Sequence, residues 1–131
     1  MNIENSVIVI TGAAQGLGLA MALDLANKGA KLALVDLDAD KLATAVKKCE
    51  EAGSPASQFY VCNVAVEEEV EALFQQIPAD LGGLNGLVNN AGILRDGLLV
   101  KKTDDGLEKL PLSKWQSVID VNLTGVFLCA R

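Results

Sequence analysis

The chain has 131 residues, 50% of them hydrophobic and 21% charged, and a formal net charge of −6. That is the length of one modest domain with apolar residues enough for a core, which excludes a disordered chain. Lys and Arg cluster no further than pairs such as Lys47-Lys48 and Lys101-Lys102, which excludes nucleic acid and anionic membrane as expected partners.

The first residues, Met1–Asn5, lack the basic region of a secretory signal. Ser6–Thr11 is a short β-branched apolar run, as a parallel strand buried on both faces requires. Glycines follow, and Leu17–Lys28 reads as a helix. Leu19, Ala22, Leu23 and Ala26 recur there at helical spacing, and Gly29 ends it. Lys31–Val35 is a second buried strand. Asp38 or Asp40 caps the next helix, which runs to about Ala52 with Leu42, Val46 and Cys49 inward, until Gly53-Ser54-Pro55 breaks it. Gln58–Cys62 is a third strand. Val66 to about Gln76 is a third helix with Val70, Leu73, Phe74 and Ile77 on one face, closed by Pro78 and Gly82-Gly83. Leu84–Asn89 is a fourth strand, weakened by Gly86.

Strand and helix alternate with short links. The pattern predicts right-handed crossovers and an α/β fold of the Rossmann type, a doubly wound parallel sheet of which these are the first four strands. The rhythm breaks after Gly92. Residues 93–112 hold no strong periodic element, and a partly helical loop on the substrate side is expected. Ser113-Lys114-Trp115-Gln116 fits a capping box and predicts a helix from Ser113, with Trp115, Val118, Ile119, Asn122 and Val126 on one face. No stop signal follows Gly125. The expectation is a single domain over 1–131 that is incomplete at its C-terminus, with the fourth strand at a sheet edge.

No apolar run approaches the roughly 20 residues that span a bilayer. Cys49, Cys62 and Cys129 are odd in number and widely spaced, which suits small buried hydrophobes in a reducing, cytoplasmic compartment. The chain has no histidine, which excludes a His-based triad and a His-containing zinc site; no metal site is expected.

The chemistry gathers at strand ends. Thr11–Gly18 joins the first strand to the first helix with the spacing G-x-x-x-G-x-G. Gly12 allows a tight turn, Gly16 lets backbone approach a pyrophosphate, and Gly18 permits close packing of helix on sheet. Gln15 and Leu17 lie within this loop, and the helix start favours an anion. A glycine trio alone also fits an ordinary tight turn. Asp36 ends the second strand, where a carboxylate accepts hydrogen bonds from a ribose and repels a 2′-phosphate. Neither Gln15 nor the following Leu37 offers a compensating cation, so NAD(H) is expected over NADP(H). Asn89-Asn90-Ala91-Gly92 follows the fourth strand, at the ligand crevice of an open α/β sheet.

With Val121-Asn122-Leu123-Thr124-Gly125, these motifs in this order make the chain resemble the short-chain dehydrogenase/reductase family, over essentially its whole length. The resemblance implies that Asn89, Ala91 and Gly92 line a nicotinamide cofactor. It also sets Asn63, before Val64, beside the adenine, where the family often has Asp. Asn122 corresponds to the family's catalytic-site asparagine, which shapes its helix and holds a water in a proton relay. As a polar residue on an apolar helical face, it is expected to be buried and partnered. The family's Tyr-x-x-x-Lys acid is absent: the only tyrosine is Tyr60, with Val64 four residues on. Asn90–Leu99, with Arg95-Asp96, is similar to 3-oxoacyl-carrier-protein reductases. That similarity implies a small-molecule carbonyl or acyl-thioester substrate, and the family implies a homodimer or homotetramer. The alternative is a sensor or scaffold that binds NAD without turning it over.

Overall fold

The computed structural model describes residues 2–131. Four parallel strands, β1 (Val7–Thr11), β2 (Lys31–Asp36), β3 (Ser57–Val61) and β4 (Gly86–Val88), form one sheet in the order β3-β2-β1-β4. Ile8 lies opposite Leu32 on one side and Gly86 on the other. Successive strand side chains point to opposite faces, and both faces are covered. Ile8, Ile10, Leu32 and Leu34 pack under α1 (Gly16–Asn27) and α2 (Ala39–Ala52), against Ala22, Ala26, Leu42 and Cys49. Val7, Val9, Ala33 and Val35 pack on the other face under α3 (Glu67–Leu81), against Val70, Leu73 and Ile77. This is the α/β, Rossmann-type parallel sheet that the apolar runs predict.

Local chemistry sets most boundaries. Asp38, rather than Asp40, caps α2: its Oδ1 accepts from the Lys41 N–H at 3.0 Å. Gly53 ends that helix with φ 118°. Ala45 takes the buried position on α2 while Val46 is only half-buried.

Four expectations need correction. Pro78 does not close the third helix. The helix passes through it to Leu81 because Ile77 and Leu81 are buried, and it ends at left-handed Gly82, whose N–H donates to the Pro78 carbonyl. The fourth strand is three residues, not six, because its flanks are taken up otherwise: Asn85 Oδ1 accepts the Val7 N–H, and the Asn90 side chain turns back to Thr11 and Gly12.

Residues 93–112 contain no helical turn before Leu112. They form an antiparallel hairpin, β5 (Val100–Thr103) and β6 (Gly106–Lys109), with Thr103 opposite Gly106. Asp104-Asp105 make the turn, and Gly106 at φ 125° supplies the conformation that closes it. The next helix, α4 (Leu112–Ile119), starts one residue before Ser113, with Pro111 as N-cap and no side-chain cap bond, so the capping box does not form. Proline's fixed φ fits a helix start, and its missing N–H leaves one donor fewer to satisfy. From α4 the helix widens into a π turn, Asp120–Thr124, and continues as α5 (Gly125–Ala130). Among the described residues no helix is long and apolar enough to cross a membrane.

Candidate functional site

Between β1 and β4 the strand order reverses direction, and the loops at their carboxyl ends part to leave a crevice. A cleft of about 320 Å³ opens there. Gly12, Gln15 and Gly16 form one wall, Asp36 and Leu37 a second, and Asn63 and Val64 a third. Asn90, Ala91 and Gly92 form its floor, with Val121 behind them.

The glycine loop is shaped by close approach. A Cβ on Gly18 would stand 2.0 Å from the Gly12 carbonyl oxygen, so only glycine lets α1 pack this tightly on the loop. Gly16 is the opposite case: at φ 58° its missing Cβ would point into open space, toward the cleft. The start of α1 carries no side-chain cap bond and no acidic residue in its first turn. By contrast α2 is capped by Asp38, and α3 opens on Glu67, Glu68 and Glu69. The α1 terminus therefore faces the cleft with free N–H groups and an uncompensated dipole, the arrangement that attracts an anion.

Asp36 closes the second wall. Its Oδ2 accepts from the Ala14 N–H at 3.0 Å and its Oδ1 from the Leu37 N–H at 2.7 Å. The carboxylate is thus fixed by the glycine loop itself, with lone pairs left on both oxygens. Leu37 is exposed beside it. Asn63 uses its Oδ1 on the Ala65 N–H at 3.0 Å, which leaves its amide nitrogen as donor.

The floor is held from two sides. Buried Thr11 accepts the N–H groups of Asn90 and Ala91, both at 3.0 Å. The Asn90 amide donates to the carbonyls of Thr11 and Gly12, both at 3.1 Å. On the far side Asn122 Oδ1 accepts the Ile93 N–H at 2.8 Å and its Nδ2 donates to the Ile93 carbonyl at 2.9 Å. Asn122 lies in the π turn, where the Gly125 N–H reaches back to the Asp120 carbonyl. It is exposed rather than buried, which corrects the expectation from its helical face; the face itself is only partly covered, with Trp115 57% exposed. Both ends of its amide are nonetheless partnered, as a two-bond clasp on one residue.

Of the expected residues, Asn89, Leu17, Gly18 and Asn122 do not line the cleft. Asn89 is exposed, and its neighbour Asn90 takes the lining position. The doublet Asn89-Asn90 is visible in the sequence, but the register of β4 decides which amide faces the crevice. Thr11 was equally hidden: a threonine ending a buried strand is a signal only once β4 is known to lie beside it.

Tyr60 is no candidate acid. It is buried, its hydroxyl donates to Asp80 at 3.1 Å, and burial first, then that bond and charge, pushes its phenol well above the usual range. Cys62 lines the cleft, but burial, with the Glu69 charge, pushes its thiol up to about 11, so it stays protonated and inert. A larger cleft, about 820 Å³, lies along the open side of β4 between α3 and α5. Its charged groups, Glu71 and Arg131, stand 3.6 Å from each other, and it lacks the converging donors of the smaller one. Among the described residues no cluster of His, Cys, Asp or Glu is placed to hold a metal.

The family described as short chain dehydrogenase matches residues 6–131. The chain belongs to this family. It is 38% identical over 128 residues to a 3-oxoacyl-[acyl-carrier-protein] reductase of Thermotoga maritima, a match covering 97% of the chain and 48% of that relative. It is 34% identical to a 3beta-hydroxysteroid dehydrogenase of Mediterraneibacter gnavus, covering 98% of the chain and 44% of the relative. Among solved structures, an NAD+-bound xylitol dehydrogenase superposes with a TM-score of 0.83 at 32% identity, over 99% of the chain and 47% of that protein. The chain thus spans about half the length of the short-chain dehydrogenases it matches.

Proposed function

We propose that this chain is the cofactor-binding domain of an NAD(H)-dependent oxidoreductase that interconverts a carbonyl and an alcohol, with a 3-oxoacyl thioester as its substrate class. The observation that carries this reading is the convergence, in one cleft, of an uncapped helix start, a glycine with open space at φ 58° and a fixed carboxylate. These groups suit, in that order, a pyrophosphate, its close approach to backbone, and a ribose diol. When bound, a nicotinamide supplies the hydride. The chain's own residues bind and orient it: Asp36 accepts from the ribose, Asn63 donates toward the adenine, and Ala91 and Gly92 give a floor without bulk. Asn122 acts as a positioning residue, because each end of its amide holds the Ile93 backbone. The similarity to 3-oxoacyl-carrier-protein reductases supports the substrate class, and the exposed apolar residues Trp115, Leu123 and Phe127 support a homodimer or homotetramer.

This reading assigns the proton donor for a ketone reduction neither to Tyr60, which is buried against Asp80, nor to Asn122, whose amide is no acid near neutral pH. The test uses the full-length protein and the isolated chain side by side, with NADH and an acetoacetyl thioester, following absorbance of the reduced cofactor. Turnover is expected in the full-length protein alone. In it NAD+ binds more tightly than NADP+, and Asp36→Ala narrows that gap. Absence of turnover with intact NAD+ binding favours instead a sensor or scaffold; equal affinity for both cofactors removes Asp36 as the discriminator.

A further inference from the structure

The cleft has no lysine or arginine in its lining, and its adenosine wall carries the negative charge of Asp36. One cation nevertheless reaches that wall. Lys41, in the first turn of α2, extends its Nζ to 2.9 Å from Gln15 Oε1. Gln15 belongs to the glycine loop and lines the cleft beside Asp36 and Leu37. The Lys41 ammonium also stands 3.4 Å from Asp38 Oδ2, whose other oxygen caps the same helix through the Lys41 N–H. The charge is therefore held at the rim by one neutral amide and one solvent-facing carboxylate, on a side chain 54% exposed.

Taking the cleft as a nicotinamide dinucleotide site, we infer that Lys41 is a second specificity determinant at the ribose end, giving the 2′-phosphate of NADP(H) a cation and admitting it as a weaker alternative cofactor. Three features carry this. Both Asp36 oxygens already accept backbone N–H groups, from Ala14 and Leu37, so part of the field that would repel a phosphate is neutralised locally. Gln15 is a neutral partner, and a phosphate oxygen competes for an ammonium far better than an amide carbonyl does. Lysine is a flexible point charge on an exposed stem, so Nζ can exchange Gln15 Oε1 for a phosphate oxygen. The sequence hides this, because Lys41 sits on the next helix, past the loop positions where a cation would be sought.

The experiment is calorimetric titration of the full-length protein with NAD+ and, separately, with NADP+, at two salt concentrations. NADP+ is expected to bind measurably, more weakly than NAD+ and with the steeper salt dependence. Lys41→Ala is expected to raise the ratio of the NADP+ to the NAD+ dissociation constant about fivefold, the size of an exposed ion pair. Lys41→Arg is expected to restore the ratio. An unchanged ratio in Lys41→Ala, with NAD+ still bound, overturns this inference and leaves the proposed function standing. Equal weakening of both cofactors also overturns it, because Lys41 would then act only by setting Gln15. Failure of the unmodified protein to bind either cofactor overturns both.

Discussion

The segment from Val7 to Asp36 and the segment from Ile93 to Pro111 are both supplied with leucine and valine, and their fates are opposite. In the first, Ile10, Leu32, Leu34 and Val35 have no solvent exposure. In the second, Leu94, Leu98, Leu99 and Leu107 are all exposed, Leu107 by 76%. What separates them is not residue type but coverage. The first segment lies between two helical layers, and the second projects from the domain as a two-stranded ribbon. Apolar periodicity reports structure where a second layer exists to impose it. Where none exists, strands are fixed by turn chemistry and pairing.

The comparison predicts a gradient of sensitivity. At its steep end is Gly18→Val. Its new Cβ would meet the Gly12 carbonyl, backbone that cannot rotate away, so the loss exceeds the roughly 3 kcal/mol of ordinary overpacking. Urea unfolding of this variant should find no cooperative native baseline; a wild-type midpoint would mean that α1 does not lean on the loop as described. Gly16→Val separates binding from folding within the same loop. Its Cβ would meet nothing within 4 Å, and the left-handed φ costs about 1–2 kcal/mol. The protein stays folded by circular dichroism yet loses NAD+ binding, since a branched side chain then fills the phosphate approach.

A pH series sharpens the contrast, because the hairpin segment has neither cysteine nor tyrosine. Burial raises the Cys49 and Cys62 thiols to about 11 from an ordinary 9.0. Their folded values lie above the unfolded ones. The stabilisation is therefore whole below pH 9 and is lost as pH rises through 11, the unfolded chain shedding protons first. Tyr60 adds to the loss in the same direction at higher pH. Denaturation midpoints should fall across this window, and the paired substitution Cys49→Ala and Cys62→Ala should flatten the fall. At the shallow end is Leu107→Thr on the ribbon, which should change stability by no more than about 0.5 kcal/mol. A larger loss by thermal melting would falsify the description of this ribbon as independent of the core.

The same division explains what could be read from the residues. The three helix–strand units were legible because β-branched runs, inward helical positions and Gly53 all agree. Asp36 and the glycine loop were legible because their positions relative to strand ends carry their chemistry. The hairpin is not legible, although Asp104-Asp105-Gly106 is a turn signal, since the flanking residues do not alternate apolar with polar. Pro78 misled because a proline's helix-breaking cost was outweighed by burial of Ile77 and Leu81 on either side. Asn90, Thr11 and the Ile93 partner of Asn122 were illegible in principle. Each depends on which distant peptide lies within about 3 Å, a length that only the assembled sheet sets.

The floor between Thr11 and Asn122 has a mechanical consequence. Residues 90–93 form a short beam resting on two supports, one at the end of β1 and one in the widened turn after α4. A beam held at both ends resists tilting. The far support is the same threonine that ends the first strand beside the glycine loop. The exposed helical arm and the buried loop are therefore not separate parts bridged by slack chain. They are joined by four residues hydrogen-bonded at both ends, of which Ala91 also packs against the core under α3.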